Sequence, residues 1–512
     1  MDSFILNKKF THLLIIIETL LRFESKDDDK HELVSFCKKS VKNEKRQLNA
    51  LNDFNDYYRP EKAIWWYTRE SILYRTVNRL LHTESNFYEL PVLHFFINDI
   101  FKQLTNNQCQ QSVQTYYGKL LWLHELEYLK SDQDKYLSNV SFWLTNRNRE
   151  AVIQNLINSR NESELQCVLF EIDATPNVSP TKPFADISKL CRFDSQGDIM
   201  FMIGSIFHII DVYDHGDIWI VRLELCSERD SHLKQLSQSM KEFQSDRTIQ
   251  LKQFADILYR LKKYDGADKI YERLSKKLSH ENETCSELYF ARGLIAKDKR
   301  EHATSLEFLR KSLKIKQKSN STNAISIGKI HACIGAVHRQ ANDDREALKS
   351  FETAIELYKQ EHLDTHQNMA VFYDNLADVY KHQNNYTKAL EYYEQALSID
   401  ENYSRMNSFG VAKSHNNLGC IYYRMKRYED ALKHFLYSLS VKLAIVPAQH
   451  SSLAKTYANL ASVYKALGSG NEALSYEQKA ATLRRQVSQT LSQDRDSRDT
   501  DDRLDNIFLS IE

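Results

Sequence analysis

In the second half of the chain, apolar and small residues recur at three- and four-residue intervals, the spacing of helices that bury one face. The segments YDNLADVYKHQNNYTKALEYYEQAL (373–397), HNNLGCIYYRMKRYEDALKHFLYSL (415–439) and YANLASVYKALGSGNEALSYEQKAA (457–481) superpose without a gap, with Ala389, Ala431 and Ala473 in register. Ala347 in REALKSFETAI and the small Ser305 in ATSLEFLRKSL extend the series, so four successive steps are each 42 residues. A sixth copy, around Ala267, lies 38 residues before Ser305. Each copy predicts two antiparallel helices. In the first, Leu376, Leu418 and Leu460 are followed by small Ala377, Gly419 and Ala461 and then by Tyr380, Tyr422 and Tyr464. That is a buried stripe with one thin position where a neighbouring helix can approach. In the second, small residues flank an aromatic knob, Phe351, Tyr393 or Phe435. The last copy places Glu477 there, the weakened core position of a terminal capping repeat.

Residues 53–231 have another texture. YRPEKAIWWYTRESILYRTVNRLL (58–81) predicts a helix entered through Pro60, and VLHFFINDIFKQL after Pro91 predicts another. From residue 166 the period becomes that of strands, in QCVLFEID, IMFMIGSIFHIIDV and DIWIVRLEL, separated by turns bearing Pro and Gly. The expected organisation is a helical extension over 1–52, an α+β domain over 53–231, an all-α repeat superhelix over 232–488 and a disordered acidic tail over 489–512.

Composition agrees with a helix-dominated chain. Glycine supplies 12 and proline 6 of the 512 residues, too few for an all-β or linker-rich protein. Lysine plus arginine equals aspartate plus glutamate at 69 each, so no overall field favours nucleic acid or an acidic membrane, and any charge-based recognition is local. The eight cysteines, with no C-x-x-C and no zinc spacing, read as thiols of a reducing compartment. The apolar run 13–21 is interrupted by Glu18 and Thr19. A cytoplasmic protein is expected, with no signal peptide, membrane span or metal site. P-loop, H-E-x-x-H and G-x-S-x-G motifs are absent.

The repeated pattern resembles the tetratricopeptide repeat over about 252–487, and its 42-residue spacing resembles the variant found in kinesin light chains. The resemblance implies a right-handed solenoid whose concave wall is lined by the first helix of each copy. Asn375, Asn417 and Asn459 then stand on that wall, with Lys413 and Lys455 four residues before Asn417 and Asn459 on the same stripe. Arg339, Lys381, Arg424 and Lys465 follow along the same helices, and Lys329 takes the early position in the Ala347 copy, while Asp374 and Asp378 dilute the charge. An amide can pair with extended peptide backbone and a lysine with a carboxylate. The wall is therefore either a groove for a protein or peptide, with acidic partners preferred, or an ordinary solvated helix face.

In the first half, PEKAIWWYTRE (60–70), YYGKL (116–120), VSFWLTN (140–146), VLFEID (168–173) with PFADIS (183–188), and QGDIMFMIGSIF (196–207) form a framework that resembles the arginine-specific mono-ADP-ribosyltransferases. That family implies an NAD site built from an arginine on the first core strand, a Ser-Thr-Ser segment and a final Glu-x-Glu. The matching positions here are Tyr117 before Gly118, then Leu144, Thr145 and Asn146, then Gln196 and Asp198. A neutral phenol cannot replace a bidentate cation. Asp198 is one methylene short, where a misplacement on the order of 1 Å can cost about 100-fold. The expectation is a retained fold with transfer lost or greatly reduced and no cofactor held, NAD being implied only if transfer persists. Lys119 is then either a displaced phosphate contact or a surface lysine.

The final SQDRDSRDTDDRLDNIFLSIE carries six Asp and three Arg and then Ile507, Phe508, Leu509 and Ile511. It reads as a plain disordered end or as a peptide that folds back into the groove. The chain as a whole reads as an interaction scaffold carrying a degenerate transferase-like domain. The alternative is an active NAD-dependent protein mono-ADP-ribosyltransferase whose repeats recruit the substrate protein.

Overall fold

The computed structural model of the protein describes residues 8–25, 28–40, 45–69, 72–82, 84–130, 136–159, 165–176, 182–191, 197–226, 247–278, 283–318, 324–403, 409–445 and 451–492. The chain divides into two compact units, Met1–Ile270 and Tyr271–Glu512.

The first unit opens with helices α1 (Lys8–Leu21), α2 (Asp29–Ser40) and α3 (Lys45–Tyr57). The single helix expected over 58–81 is instead a short turn at Pro60–Lys62 leading into α4 (Ala63–Tyr67), followed separately by α5 (Ile72–His82). At the end of α4 the Thr68 N–H and hydroxyl both donate to the Ile64 carbonyl (2.9 Å each), and the hydroxyl also reaches the Trp65 carbonyl (3.3 Å). The helix expected after Pro91 forms as α6 (His94–Asn106), and its apolar residues other than half-buried Phe101 are buried.

A mixed sheet follows, with β1 (Val113–Trp122), β2 (Tyr136–Ser138), β3 (Trp143–Asn146), β4 (Leu165–Ala174), β5 (Phe184–Asp186), β6 (Asp198–Phe201), β7 (Ile206–Asp214) and β8 (Trp219–Leu225). Two helices are inserted, α7 (Leu123–Lys130) and α8 (Arg149–Asn158). The strand order is β2-β7-β8-β4-β1-β3-β6-β5, antiparallel except for the β4/β8 pair. The run read as one strand, IMFMIGSIFHIIDV, is two, because the backbone turns at Gly204 (φ 81°). Alternation along the strands sends Phe170, Ile172, Phe201, Phe207 and Val221 to one core. Leu169 and Ile220 point to the opposite face, which α8 covers.

The second unit is a stack of helical hairpins. In chain order the copies are numbered 1 to 6, each with a helix A and a helix B. Copies 2 to 6 comprise Glu283–Asp298 with His302–Lys318, Ala324–Gln340 with Asp344–Gln360, Gln367–His382 with Tyr386–Tyr403, Phe409–Arg424 with Tyr428–Ile445, and Ser451–Ala466 with Gly470–Ser492. Copy 1 comprises Arg247–Arg260 and Tyr264–Lys277, the second of which runs across the division between the units. Within the first unit Phe254 meets Phe23 edge to face, and Tyr88 lies against Gly266.

The turns between A and B repeat one device. Lys262, Arg300, Asn342, Asn384 and Lys426 all adopt φ between 57° and 62°, and Gly468 takes the position at 83°. The next amide donates back to the carbonyl five residues before it, as from Asn385 to Tyr380 and from Arg427 to Tyr422 (both 2.9 Å). This closes each helix A in a Schellman-type cap with little use of glycine. The aromatic knobs are buried as predicted, Phe351 and Tyr393 fully and Phe435 to 2% exposure. They press on the thin positions: a Cβ at Gly335 would lie 2.9 Å from Phe351 and one at Gly419 2.7 Å from Phe435.

Candidate functional site

The A helices bring the wall residues of successive copies together in columns. Lys329, Val371, Lys413 and Lys455 form one column, and Asn375, Asn417 and Asn459 another. Val371 is the unforeseen member, an apolar side chain 45% exposed where copies 3, 5 and 6 carry lysine. Lys329, Lys455, Lys465 and Arg424 are exposed.

Arg339 and Lys413 are engaged across copies, and Lys381 within its own helix. Arg339 of copy 3 reaches Asp378 of copy 4 (3.6 Å), and Lys381 pairs with the same carboxylate. Tyr393, which the sequence marks only as a core knob, donates its hydroxyl to Asp378 (2.5 Å). Burial pushes the Asp378 carboxyl up, but Lys381, Arg339 and the hydrogen bonds together hold it below the usual range. Lys413 of copy 5 pairs with Asp374 of copy 4 (3.3 Å). That carboxylate is so deeply buried that its pKa is raised despite the lysine, and its Oδ1 has no hydrogen-bond partner among the described residues. The lysine is held above its ordinary value by Asp374. Behind this pair sits Asp400, pushed up to about 6 by burial and by the charge of Asp374, and accepting from the Ser414 hydroxyl (3.1 Å).

The asparagines take part in the same lattice. Asn375 Nδ2 donates to the Val371 carbonyl (2.8 Å), and Asn459 Nδ2 donates to Asn416 Oδ1 of the preceding copy (3.1 Å). Asn417 lies near enough to Asp374 to favour its charged form. Among the described residues no hydrogen bond engages the Oδ1 of Asn375 or Asn459, which leaves an acceptor on the wall at each. The centre of the wall, in copies 4 and 5, is thus neutralised from within, while Lys329 in copy 3 and Lys465 in copy 6 stand exposed toward its two ends.

In the first unit, Tyr117 on β1 stacks on Trp143 of β3 (ring centroids 4.9 Å, 23°) and lies near Phe170 of β4 (6.2 Å). Gly118 faces the other way, where a Cβ would come within 3.1 Å of Val152 and 3.3 Å of Leu156, so its lack of a side chain lets α8 approach the sheet. Thr145 is buried, its hydroxyl shared between Thr115 (2.7 Å) and the Ile199 carbonyl (3.1 Å). Leu144 and Lys119 are half-buried. Asp198 opens β6 opposite Asn146 and accepts from its amide at 2.6 Å. Gln196 lies outside the described residues, as does the tail from 493 onward. Asp186 is held below the usual carboxylate range, its burial outweighed by Ser188 and Arg147, the latter 3.3 Å away. Among the described residues no cluster of ligands fits a metal ion, and no helix is long and apolar enough to cross a membrane. None of the eight cysteines is joined in a disulfide.

The tetratricopeptide-repeat family matches residues 286–319, 326–402 and 410–486. The second unit therefore carries tetratricopeptide repeats, a scaffold for protein interaction. No curated protein matches the chain. Among solved structures, BtubC (BKLC) from P. vanneervenii is 19% identical, with a TM-score of 0.40 over 45% of this chain and 91% of that one. A putative kinesin light chain from Podosopora anserina with nearly identical TPR-like repeats is 15% identical, with a TM-score of 0.36 over 40% of this chain and 98% of that one. The apo form of RapI is 14% identical, with a TM-score of 0.36 over 48% of this chain and 100% of that one.

Proposed function

We propose that the protein is an interaction scaffold whose A-helix wall binds an extended protein or peptide segment, with acidic side chains of the partner meeting the ends of the wall. The observation that carries this reading is the column structure of the wall. Asn375 and Asn459 offer acceptors to peptide N–H groups, Val371 offers an apolar contact, and Lys329 and Lys465 stand exposed for carboxylates. Arg339, Lys381 and Lys413 already face Asp378 and Asp374 and serve to hold the wall rigid. The test is an array of extended peptides of graded charge probed with the full chain. Replacing Asn417, Asn459 and Lys455 by alanine is expected to weaken capture of acidic peptides first, and an unchanged set of captured peptides refutes the wall as the binding surface.

For the first unit, the proposed reading is a transferase-like sheet that no longer performs transfer. It is supported by the commitments of the side chains at the signature positions. The Tyr117 ring is spent on Trp143, the Thr145 hydroxyl on Thr115 and Ile199, and no cation replaces the family's arginine at residue 117. These residues do not fit a dinucleotide pyrophosphate, which calls for bidentate or clustered cationic donors. The alternative, an active NAD-dependent mono-ADP-ribosyltransferase fed by the repeats, draws on Asp198, which keeps a carboxylate at the head of β6. Purified protein is expected to release no nicotinamide from NAD. Release that disappears in Asp198→Ala would establish the alternative.

A further inference from the structure

Helix B of copy 5 carries an apolar stripe of which only Leu432 is packed into the repeat's own core. Leu436 is 38% exposed and Leu443 51%, with half-buried Leu432 on the same line and Tyr437 beside it at 36%. The 42-residue register shows how unusual this is. The position of Leu436 holds Arg310, Glu352, Glu394 and Gln478 in copies 2, 3, 4 and 6, and that of Leu443 holds Gln317, Lys359, Glu401 and Arg485. All eight are exposed. Packing of a repeat therefore does not call for leucine at either place, and polar residues are what an outward helix face ordinarily carries.

The chain contains a segment of matching chemistry. Leu504, Ile507, Phe508 and Ile511 stand at i, i+3, i+4 and i+7, the spacing of one apolar face of an amphipathic helix. They follow eleven polar residues, QDRDSRDTDDR (493–503), directly after the end of copy 6 at Ser492. Helix B of copy 6 is the next turn of the same stack, and residue 478 on it corresponds to Leu436. The return from Ser492 to that level is fourteen residues of helix, roughly 21 Å. The shift across one repeat adds roughly 10–20 Å sideways. Eleven residues can span roughly 36 Å, enough for both. The linker has five Asp against three Arg, and the intervening helix exposes Lys479 and Arg484 along its path.

We propose that segment 504–511 of this chain docks as an amphipathic helix on the Leu432–Leu436–Leu443 stripe of copy 5, covering it and leaving the A-helix wall open to partners. The experiment places the photo-cross-linker p-benzoylphenylalanine at residue 508 of the full-length protein, irradiates it in dilute solution and maps the attachment sites by mass spectrometry. Attachment within Tyr428–Ile445, lowered at least about 10-fold by Leu436→Glu with Leu443→Glu, is the expected result. Attachment to the A-helix wall, attachment between two chains, or no defined attachment overturns the proposal. Because the glutamates could disturb copy 5, hydrogen exchange provides a second measurement on the unsubstituted chain. Amides of 504–511 should exchange at least about 10-fold more slowly than an unstructured peptide, and Ile507→Glu should abolish that protection. Unstructured rates in the unsubstituted chain overturn the proposal as well.

Discussion

A single methyl group at residue 419 tests whether close helix contact or helix propensity dominates the repeats. Gly419 lies in helix A of copy 5, and a Cβ there would stand 2.7, 2.8 and 3.0 Å from Cε1, Cδ1 and Cζ of Phe435. Phe435 is 2% exposed, so its ring has little room to retreat. Propensity favours alanine over glycine in a helix interior by about 0.8–1.0 kcal/mol. Overpacking a well-filled core costs about 1–3 kcal/mol. Because the contacts fall at or below 3.0 Å on three ring atoms, the upper part of that range applies, and Gly419→Ala should destabilise copy 5 by about 1–2 kcal/mol. In a Phe435→Leu background those ring atoms are gone, and the same substitution should be neutral or stabilising, giving a coupling of about 2 kcal/mol. Copy 4 supplies an internal precedent, since Ala377 already holds a methyl at this position, fully buried, beside a knob tethered through its hydroxyl to Asp378. The assay is native-state hydrogen exchange over Phe409–Arg424 and Tyr428–Ile445, which reads local free energy without assuming that the whole chain unfolds in one step. Slower exchange in Gly419→Ala, or an equal effect with and without Phe435, would refute the close-contact account.

Other consequences follow from particular groups. Lys426, at φ 61°, pays a left-handed cost that glycine escapes, so Lys426→Gly should stabilise copy 5 by roughly 0.5–1 kcal/mol in the same exchange measurement. Asp378→Asn removes the charge that Arg339, Lys381 and Tyr393 share; with the carboxylate about a quarter exposed, a loss of about 1 kcal/mol is expected. The same substitution should strengthen capture of acidic peptides, and weaker capture would contradict the assigned neutralising role. Asp400 binds its proton more tightly folded than unfolded, its pKa rising from 3.8 to about 6. Its contribution is therefore complete below pH 4 and lost as pH rises through about 6. A melting-temperature profile from pH 4 to 7 should be flatter in Asp400→Asn than in the unsubstituted chain.

Much of the second unit is legible in the sequence, because a 42-residue register repeats both the thin positions and the knobs, and each hairpin needs the next to cover its apolar face. The turn residues were legible by position but mostly not by conformation, since lysine and arginine, unlike asparagine, give no warning of positive φ. In the first unit, periodicity found α6 and the strand runs but overran two breaks. One is the end of α4 at Thr68 and the other is the turn at Gly204, and neither leaves a mark on the hydrophobic pattern. The wall residues were named from their register, yet Tyr393 was read only as core because its ring is buried while its hydroxyl reaches Asp378.

What the sequence determined by itself is which face of each element is buried, because burial follows a period of two or of about 3.6 residues that the chain carries locally. It thereby settled the helical repeats, the presence of a separate sheet and the columns of polar residues on the A helices. Only the tertiary structure decided how those polar residues are used. A long side chain chooses among partners brought near by neighbouring copies, and Asp374 and Asp378 sit where Lys413, Arg339 and Lys381 can reach them. The same holds for Gly118, whose bare Cα makes room for Val152 and Leu156 of α8. Such distances across packed elements depend on how the backbones approach one another, and no local period encodes them.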